Sequence, residues 1–358
     1  MKPLLSSTSR RRLAQALGVA LIVLTLYAML AAMVLATSLV LLQKGIAPDV
    51  PWISSIQQNL YMRATRSVWQ SQGSCVEFDD ELIYKPKIGA CQFNNAEFKT
   101  TLNFSAEGRF TGEKPVGTGI AVIGDSHAMG WGVQDDETFA ALLQTMTGRP
   151  VFNLAVSSYG TVREVLRLEK SGLPDKVDTI IIQYCGNDLD ENKRGEISGV
   201  EENRNKFKRI TTGKQSFMGL LGMIRKTYGF VFSFPFRQVK AALAKPAQPT
   251  KAAQPAQPTQ AALASKAADD FSSHYQPLMA VLQKHPGLKD KRVLIFYNNG
   301  RAQRFQGFPA GKDNLLPNVE FVDVVVDSSG FYRLDDHMSP AGHKATAQQL
   351  FKSLGNPG

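Results

Sequence analysis

A serine directly follows a buried-strand pattern in the segment IAVIGDSHAMGWGV. The apolar run Ile120–Ile123 predicts a strand, and it breaks abruptly into Gly124, Asp125 and Ser126. A hydroxyl at the carboxyl end of such a strand lies at the rim of the sheet, where the N–H groups of the turn can bind an anion. The chemistry that suits this position is nucleophilic attack by a serine whose proton a neighbouring imidazole removes.

Three further segments bring complementary groups to the same edge of the predicted sheet. The strand PVFNLAV runs into SSYG, which ends on Gly160, and the strand DTIIIQYC runs into GND, which contains Asn187. The segment LDDHMSPAGH places His337 in a loop before the last helix, after Asp335 and Asp336. Because parallel strands share one carboxyl edge, we expect the serine, glycine, asparagine and histidine to meet there.

The elements that must position these groups alternate along the chain. Continuous apolar strands are predicted in GIAVIGDS, PVFNLAV, DTIIIQYC, RVLIFYN and VEFVDVVV. Helical spacing is found in ETFAALLQTM, TVREVLRLEKSG, YQPLMAVLQKH and SPAGHKATAQQLFKSL. Apolar strands that alternate with helices predict an α/β fold with a central parallel sheet covered on both faces.

The four polar segments resemble the four sequence blocks of the SGNH, or GDSL-type, hydrolase superfamily. The match is strong in GDSHAMGWGV and good in GND and HMSPAGH, whereas SSYG is short; together they extend over about residues 115–355. The resemblance implies the SGNH fold, a flavodoxin-like three-layer α/β/α sandwich around a central parallel sheet. It also implies that the enzyme acts on ester bonds.

The resemblance assigns a role to each of the polar groups. Ser126 corresponds to the nucleophile and His337 to the general base. The Ser126 N–H, the Gly160 N–H and the Asn187 side chain would form the oxyanion hole. For His127, next to the serine, a supporting role is favoured over contact with substrate.

The third member of the triad departs from the family pattern. The family's acid stands three residues before the histidine, and this chain has Leu334 there. We expect Asp335 to be the catalytic acid, because the side chain of the adjacent Asp336 tends to point away from His337 in an extended loop. Asp336 and a Ser–His dyad with a carbonyl group in place of the acid remain alternatives.

The amino end predicts a membrane anchor. Lys2 and Arg10–Arg12 are followed by no charged residue until Lys44, and about 20 apolar residues span a bilayer. Signal peptides have shorter apolar regions, so a cleaved signal is the less favoured alternative. Basic residues that flank a membrane span are usually on its cytoplasmic side, which predicts that the segment with Arg10–Arg12 is cytoplasmic. We therefore expect a cytoplasmic amino end at residues 1–13 and a transmembrane helix at residues 14–43 of the bacterial inner membrane. A juxtamembrane stalk at residues 44–74 would then lead to a periplasmic or extracellular domain at residues 75–358.

Residues 191–269 do not fit the predicted sheet and form an insertion in the domain. Its last part, residues 241–267, repeats Ala, Pro and Gln and predicts a flexible linker. The preceding SFMGLLGMIRKTYGFVFSFPFRQV combines Met, Phe and Leu with basic residues. It is either a helical cap on the domain or a surface that contacts the membrane or a partner protein.

Charge and cysteine content narrow the possible functions. The net charge is +10, but basic and acidic residues are interspersed, which does not favour nucleic-acid binding. Cys75 and Cys91 are placed to close a short loop in an oxidising compartment, and Cys185 is expected to be a buried free thiol. Cys and His have no zinc-ligand spacing, so neither a metal nor a cofactor is predicted.

Two functions are compatible with these features. The first is a membrane-anchored extracytoplasmic enzyme that acts through an acyl-Ser126 intermediate as a carbohydrate O-acetyltransferase or O-acetylesterase. Both reactions use that intermediate, and the sequence does not decide between them. Resemblance to the SGNH component of envelope or exopolysaccharide O-acetylation systems implies a multispanning membrane acyltransferase as partner. The alternative is a catalytically silent SGNH-like subunit that binds glycan or scaffolds a membrane complex.

Overall fold

The computed structural model describes residues 7–46, 50–212, 217–243, 271–298, 300–301 and 316–355. The chain divides into two units, one of residues 1–66 and 215–258 and one of residues 67–214 and 259–358. The predicted linker lies outside the described residues from residue 244 onward.

The described part of the chain contains ten α-helices and ten β-strands. The helices are α1 (Ser7–Gln43), α2 (Pro51–Leu60), α3 (Ser126–Met129), α4 (Phe139–Thr147), α5 (Thr161–Lys170), α6 (Asp188–Arg194), α7 (Val200–Thr212), α8 (Phe217–Leu243), α9 (Ser272–Lys284) and α10 (Pro340–Leu354). The strands are β1 (Val76–Asp79), β2 (Ile83–Pro86), β3 (Gly89–Asn95), β4 (Phe98–Ser105), β5 (Gly108–Arg109), β6 (Gly119–Gly124), β7 (Val151–Asn153), β8 (Val177–Tyr184), β9 (Arg292–Tyr297) and β10 (Val319–Val322).

The first unit is helical and contains the apolar amino-terminal segment. Within α1, Ala14–Gln43 has a mean hydropathy of 2.6 and is long and apolar enough to cross a membrane, a property that it shares with signal sequences. The insertion helix α8 packs on α1. The Tyr27 hydroxyl donates to the Phe232 carbonyl at 2.5 Å, and the Tyr228 hydroxyl donates to the Ala28 carbonyl at 2.9 Å.

The second unit is built on an eight-stranded mixed sheet with the order β10-β9-β8-β6-β7-β5-β4-β3. Strands β6 to β10 are parallel, which confirms the predicted α/β class and its parallel pairing for these five strands. Strands β3 to β5, for which the sequence predicted no place in the sheet, extend it in antiparallel pairing, so the whole sheet is mixed. Along β4 buried residues alternate with exposed or half-buried ones, so it lacks the continuous apolar run of a central parallel strand.

Apolar side chains cover both faces of the sheet. Along β6, Ile120 and Val122 belong to one buried cluster, and Ala121 and Ile123 belong to the other. Helices α4 and α10 contribute to the first cluster, and helices α5 and α9 to the second. The period of two along a strand therefore gives the two buried faces that the apolar run predicts.

A disulfide closes the segment that leads into the antiparallel strands. Cys75 is bonded to Cys91 of β3, with 5.2 Å between their Cα atoms. Cys185, at the end of β8, is a buried free thiol. The bond between Cys75 and Cys91 restricts the unfolded chain and thereby stabilises the folded domain by about 3 kcal/mol.

Candidate active site

The turn after β6 presents Ser126 at the edge of the sheet. Gly124 ends the strand with φ 153°, and a Cβ there would lie 2.7 Å from the Cβ of Ala128, so a side chain does not fit. The Asp125 carboxylate accepts from the His127 N–H at 2.9 Å and caps α3. Gln183 of β8 accepts from the N–H groups of Asp125 and Ala128, each at 3.2 Å. These bonds fix the backbone on both sides of the serine.

Ser126, His337 and Asp335 form a continuous hydrogen-bonded relay. The Nε2 atom of His337 lies 2.7 Å from the Ser126 Oγ, and its Nδ1 atom lies 2.5 Å from the Asp335 Oδ1. An ionised Asp335 accepts from Nδ1–H, which leaves Nε2 free to accept the serine proton. Asp335 is 0% exposed, His337 7% and Ser126 9%, so the relay is shielded from solvent except near the serine. This geometry suits activation of a serine nucleophile.

The residue three positions before His337 is a buried leucine, and the residue that follows it bonds to the histidine ring. Leu334, at the position of the family's acid, is only 2% exposed. The next side chain, that of Asp335, reaches the imidazole of His337. Leu334 therefore serves as a core residue.

Two aromatic rings stack on the imidazole of His337. The Trp131 ring lies 4.5 Å from it, centroid to centroid, at an interplanar angle of 11°, and the His127 ring lies 4.6 Å from it at 26°. The indole N–H of Trp131 also donates to Asp335 Oδ2 at 3.2 Å. An indole face stabilises a cation, so Trp131 suits a ring that becomes positive when it takes a proton. Sequence reasoning missed Trp131, although it stands in the first motif, five residues after the serine.

The proposed oxyanion donors lie at the ends of the two strands that flank β6. Gly160 precedes α5 after β7, and Asn187 precedes α6 after β8; both strands pair with β6. A Cβ at Gly160 would lie 2.9 Å from the Glu191 side chain, so this backbone position is restricted to glycine. The Asn187 side chain is exposed and, among the described residues, makes no hydrogen bond that would compete with a substrate oxygen.

One buried carboxyl connects these two donor loops. Asp188 accepts from the Thr161 hydroxyl at 3.2 Å and from the Cys185 N–H at 3.3 Å. Burial raises the pKa of the Asp188, Glu164 and Asp125 carboxyls, and their mutual repulsion raises it further for Asp188 and Glu164. Ionising these carboxyls therefore costs more in the folded protein than in water.

Replacing Asn187 by alanine tests its proposed role as an oxyanion donor. We expect kcat for ester cleavage to fall by about 10²- to 10³-fold with KM nearly unchanged, because the donor acts on charge that develops in the transition state. Steady-state kinetics with p-nitrophenyl acetate on the full-length protein measure both constants. Asn205→Ala, an exposed amide on α7, is the matched control. A variant with wild-type kcat would remove Asn187 from the oxyanion hole.

Among the described residues, no group of three or more His, Cys, Asp or Glu side chains is arranged to hold a metal ion.

Known proteins are similar to this chain only at the level of structure. No family model and no curated protein matches it. Its sequence motifs resemble those of the SGNH hydrolases. Several solved structures resemble it at low identity and low TM-score.

The first of these solved structures is a G-D-S-L family lipolytic protein from Desulfitobacterium hafniense, with 11% identity, a TM-score of 0.33, and 66% of this chain and 98% of that chain covered. The second is a family two carbohydrate esterase from Clostridium thermocellum, with 13% identity, a TM-score of 0.34, and 69% of this chain and 66% of that chain covered. The third is an acetylxylan esterase from Geobacillus stearothermophilus, with 13% identity, a TM-score of 0.31, and 68% of this chain and 97% of that chain covered.

Proposed function

We propose that this chain is an SGNH-type serine enzyme that transfers acyl groups through an acyl-Ser126 intermediate. The observation that carries the proposal is the relay from Asp335 through His337 to Ser126, with distances of 2.5 and 2.7 Å. The parallel-strand order β7-β6-β8-β9-β10 supports the flavodoxin-like layout, since it corresponds to the order 2-1-3-4-5.

The first half-reaction forms the acyl-enzyme. Ser126 Oγ attacks the ester carbonyl carbon while His337 Nε2 takes the hydroxyl proton, and Asp335 stabilises the resulting imidazolium. The Ser126 N–H, the Gly160 N–H and the Asn187 amide stabilise the oxyanion of the tetrahedral intermediate. When the C–O bond to the leaving group breaks, His337 gives its proton to the departing alkoxide oxygen.

The second half-reaction releases the acyl group. A hydroxyl compound attacks the acyl carbonyl, and His337 Nε2 takes its proton and returns it to Ser126 Oγ as the acyl–serine bond breaks. Attack by water gives a carboxylic acid, so the enzyme acts as an esterase. Attack by a sugar hydroxyl gives a new O-acyl ester, so the enzyme acts as an O-acetyltransferase.

We further propose that the substrate is an acylated carbohydrate and that the enzyme is anchored in a bacterial inner membrane. The substrate class rests on the resemblance to SGNH components of envelope O-acetylation systems, in which the partner is a multispanning membrane acyltransferase. The anchor rests on α1, with basic residues before its apolar stretch, which favours a cytoplasmic amino end. The bond between Cys75 and Cys91 suits an extracytoplasmic, oxidising compartment for the domain.

A time course with p-nitrophenyl acetate tests the activity directly. The full-length protein in detergent and its Ser126→Ala variant are assayed with and without an acetyl-free oligosaccharide acceptor, and mass spectrometry follows the acceptor. Ser126-dependent release with mass added to the oligosaccharide establishes a transferase. Ser126-dependent release of free acetate alone establishes an esterase. If wild type and Ser126→Ala are indistinguishable, the enzyme proposal fails and the catalytically silent glycan-binding subunit replaces it.

A further inference from the structure

A carboxylate from the antiparallel end of the sheet binds the loop that carries the triad acid. Glu97 lies in the turn between β3 and β4, more than two hundred residues before that loop in sequence. Its Oε1 accepts from the Arg333 N–H at 2.7 Å, and its Oε2 accepts from the N–H groups of Leu334 and Asp335 at 2.8 and 3.0 Å. Three consecutive backbone N–H groups thus converge on one side chain.

Such a contact fixes the direction in which each side chain of the loop points. Hydrogen bonds from consecutive N–H groups to one carboxylate restrain the φ and ψ angles between them. In this restrained backbone Leu334 is buried and Asp335 meets His337 Nδ1 at 2.5 Å. The Glu97 contact therefore accounts for a triad whose acid lies two residues, and not three, before the histidine.

Aromatic contacts hold the β3–β4 hairpin against the same part of the site. The Phe93 ring meets the Trp131 ring edge to face at 4.6 Å, and Phe98 lies 5.3 Å from Tyr332. The Tyr332 hydroxyl donates to the Gly132 carbonyl at 2.5 Å. The hairpin thus contacts both the residue that stacks on the general base and the loop that carries the acid.

The charge of Glu97 strengthens its bonds to the loop. Hydrogen bonds to an ionised carboxylate are about twice as strong as neutral ones. Burial raises the pKa of the Glu97 carboxyl, while the three backbone N–H groups lower it. The Glu97 carboxylate accepts hydrogen bonds from three backbone N–H groups of the acid loop, so its charge acts on the backbone of that loop.

We propose that Glu97 is a positioning residue of the active site, which orients Asp335 toward His337 by binding the three N–H groups of the acid loop. The inference rests on the proposed function, because it assigns Glu97 a part in the same triad. Glu97 touches neither the substrate nor a reacting atom, and it acts through Asp335.

The test combines two substitutions of Glu97 with a double-mutant cycle. In the full-length protein Glu97→Ala should lower kcat for p-nitrophenyl acetate by about 10- to 100-fold at nearly constant KM, since misplacement by about 1 Å costs up to about 10²-fold. Glu97→Gln keeps one carbonyl acceptor and should recover part of that loss. In an Asp335→Ala background, Glu97→Ala should change kcat by less than about threefold, because residues that act through one another are non-additive. Glu107→Ala, which removes an exposed carboxylate after β4, is the matched control and should retain wild-type kcat.

The outcomes separate this inference from the proposed function. Wild-type kcat in Glu97→Ala, or a full additional loss in the Asp335→Ala background, overturns the positioning role while Ser126-dependent activity stands. If wild type shows no Ser126-dependent activity, the proposed function itself fails. Thermal melting of each variant monitors folding. Should Glu97→Ala not fold, Glu97→Gln replaces it, alone and combined with Asp335→Ala. A loss of kcat in Glu97→Gln that disappears in the Asp335→Ala background supports the positioning role, and wild-type kcat or a fully additive loss overturns it.

Discussion

We expect Ser126→Ala to abolish acyl transfer, with kcat for p-nitrophenyl acetate reduced by at least about 10⁴-fold. The serine hydroxyl is the group that meets His337 Nε2 at 2.7 Å, and the alanine variant retains no oxygen that could form the acyl-enzyme. Removing a single hydroxyl from a nearly buried site changes the free energy of unfolding by only about 1 kcal/mol. The loss of activity should therefore come with a nearly unchanged melting temperature.

Two measurements check this result on the full-length protein. Initial rates at saturating p-nitrophenyl acetate give kcat. In addition, the wild-type protein is quenched by denaturation during turnover, and mass spectrometry of its peptides detects an added acetyl group on the peptide that contains Ser126. The control is Ser353→Ala, near the end of α10, where, among the described residues, the serine hydroxyl bonds only to the Gln349 carbonyl of its own helix. This variant should retain the wild-type kcat. Acetylation on another residue, with activity retained in Ser126→Ala, would overturn the assignment of the nucleophile.

The second large effect is expected from Asp335→Asn, which should lower kcat by about 10²- to 10⁴-fold. The asparagine amide can present N–H to His337 Nδ1, which favours the tautomer whose Nε2 already carries a proton and cannot accept one from serine. Trp131 donates to the other carboxylate oxygen at 3.2 Å, so the variant must also satisfy the indole N–H. Because substrate binding does not use this side chain, KM should change little.

Asp336→Asn is the matched control for the acid. It changes the neighbouring carboxyl, the alternative allowed by the sequence, and should lower kcat by less than about threefold, as for a substitution outside the relay. Steady-state kinetics on both variants, with melting temperatures, make the comparison. A larger loss in Asp336→Asn than in Asp335→Asn would transfer the role of the acid to Asp336.

The sequence predicted those parts of the fold that depend on local patterns. Continuous apolar runs identified the five parallel strands, and the breaks after them located the turns that carry Ser126, Gly160 and Asn187. The α/β class is confirmed, whereas the catalytic roles of these three residues stay predictions. The expected preference for Asp335 over Asp336 agrees with the hydrogen bond from Asp335 to His337.

Features that depend on distant segments could not be predicted. The strands β3 to β5 show alternating burial, and nothing in their sequence indicates that they join the edge of a parallel sheet. Glu97 is one carboxylate in a short turn, and its significance depends on backbone N–H groups of another loop. Trp131 stands in the first motif, but only the folded chain places its ring against His337.

The two rings that stack on His337 determine how much the general base can move. The Trp131 and His127 rings both stack on this imidazole, with ring centroids 4.5 and 4.6 Å from its own. The imidazole cannot turn over about its Cβ–Cγ bond unless the stacked rings separate. One χ2 rotamer is thereby selected during folding, and the base meets each substrate without losing conformational entropy in the encounter.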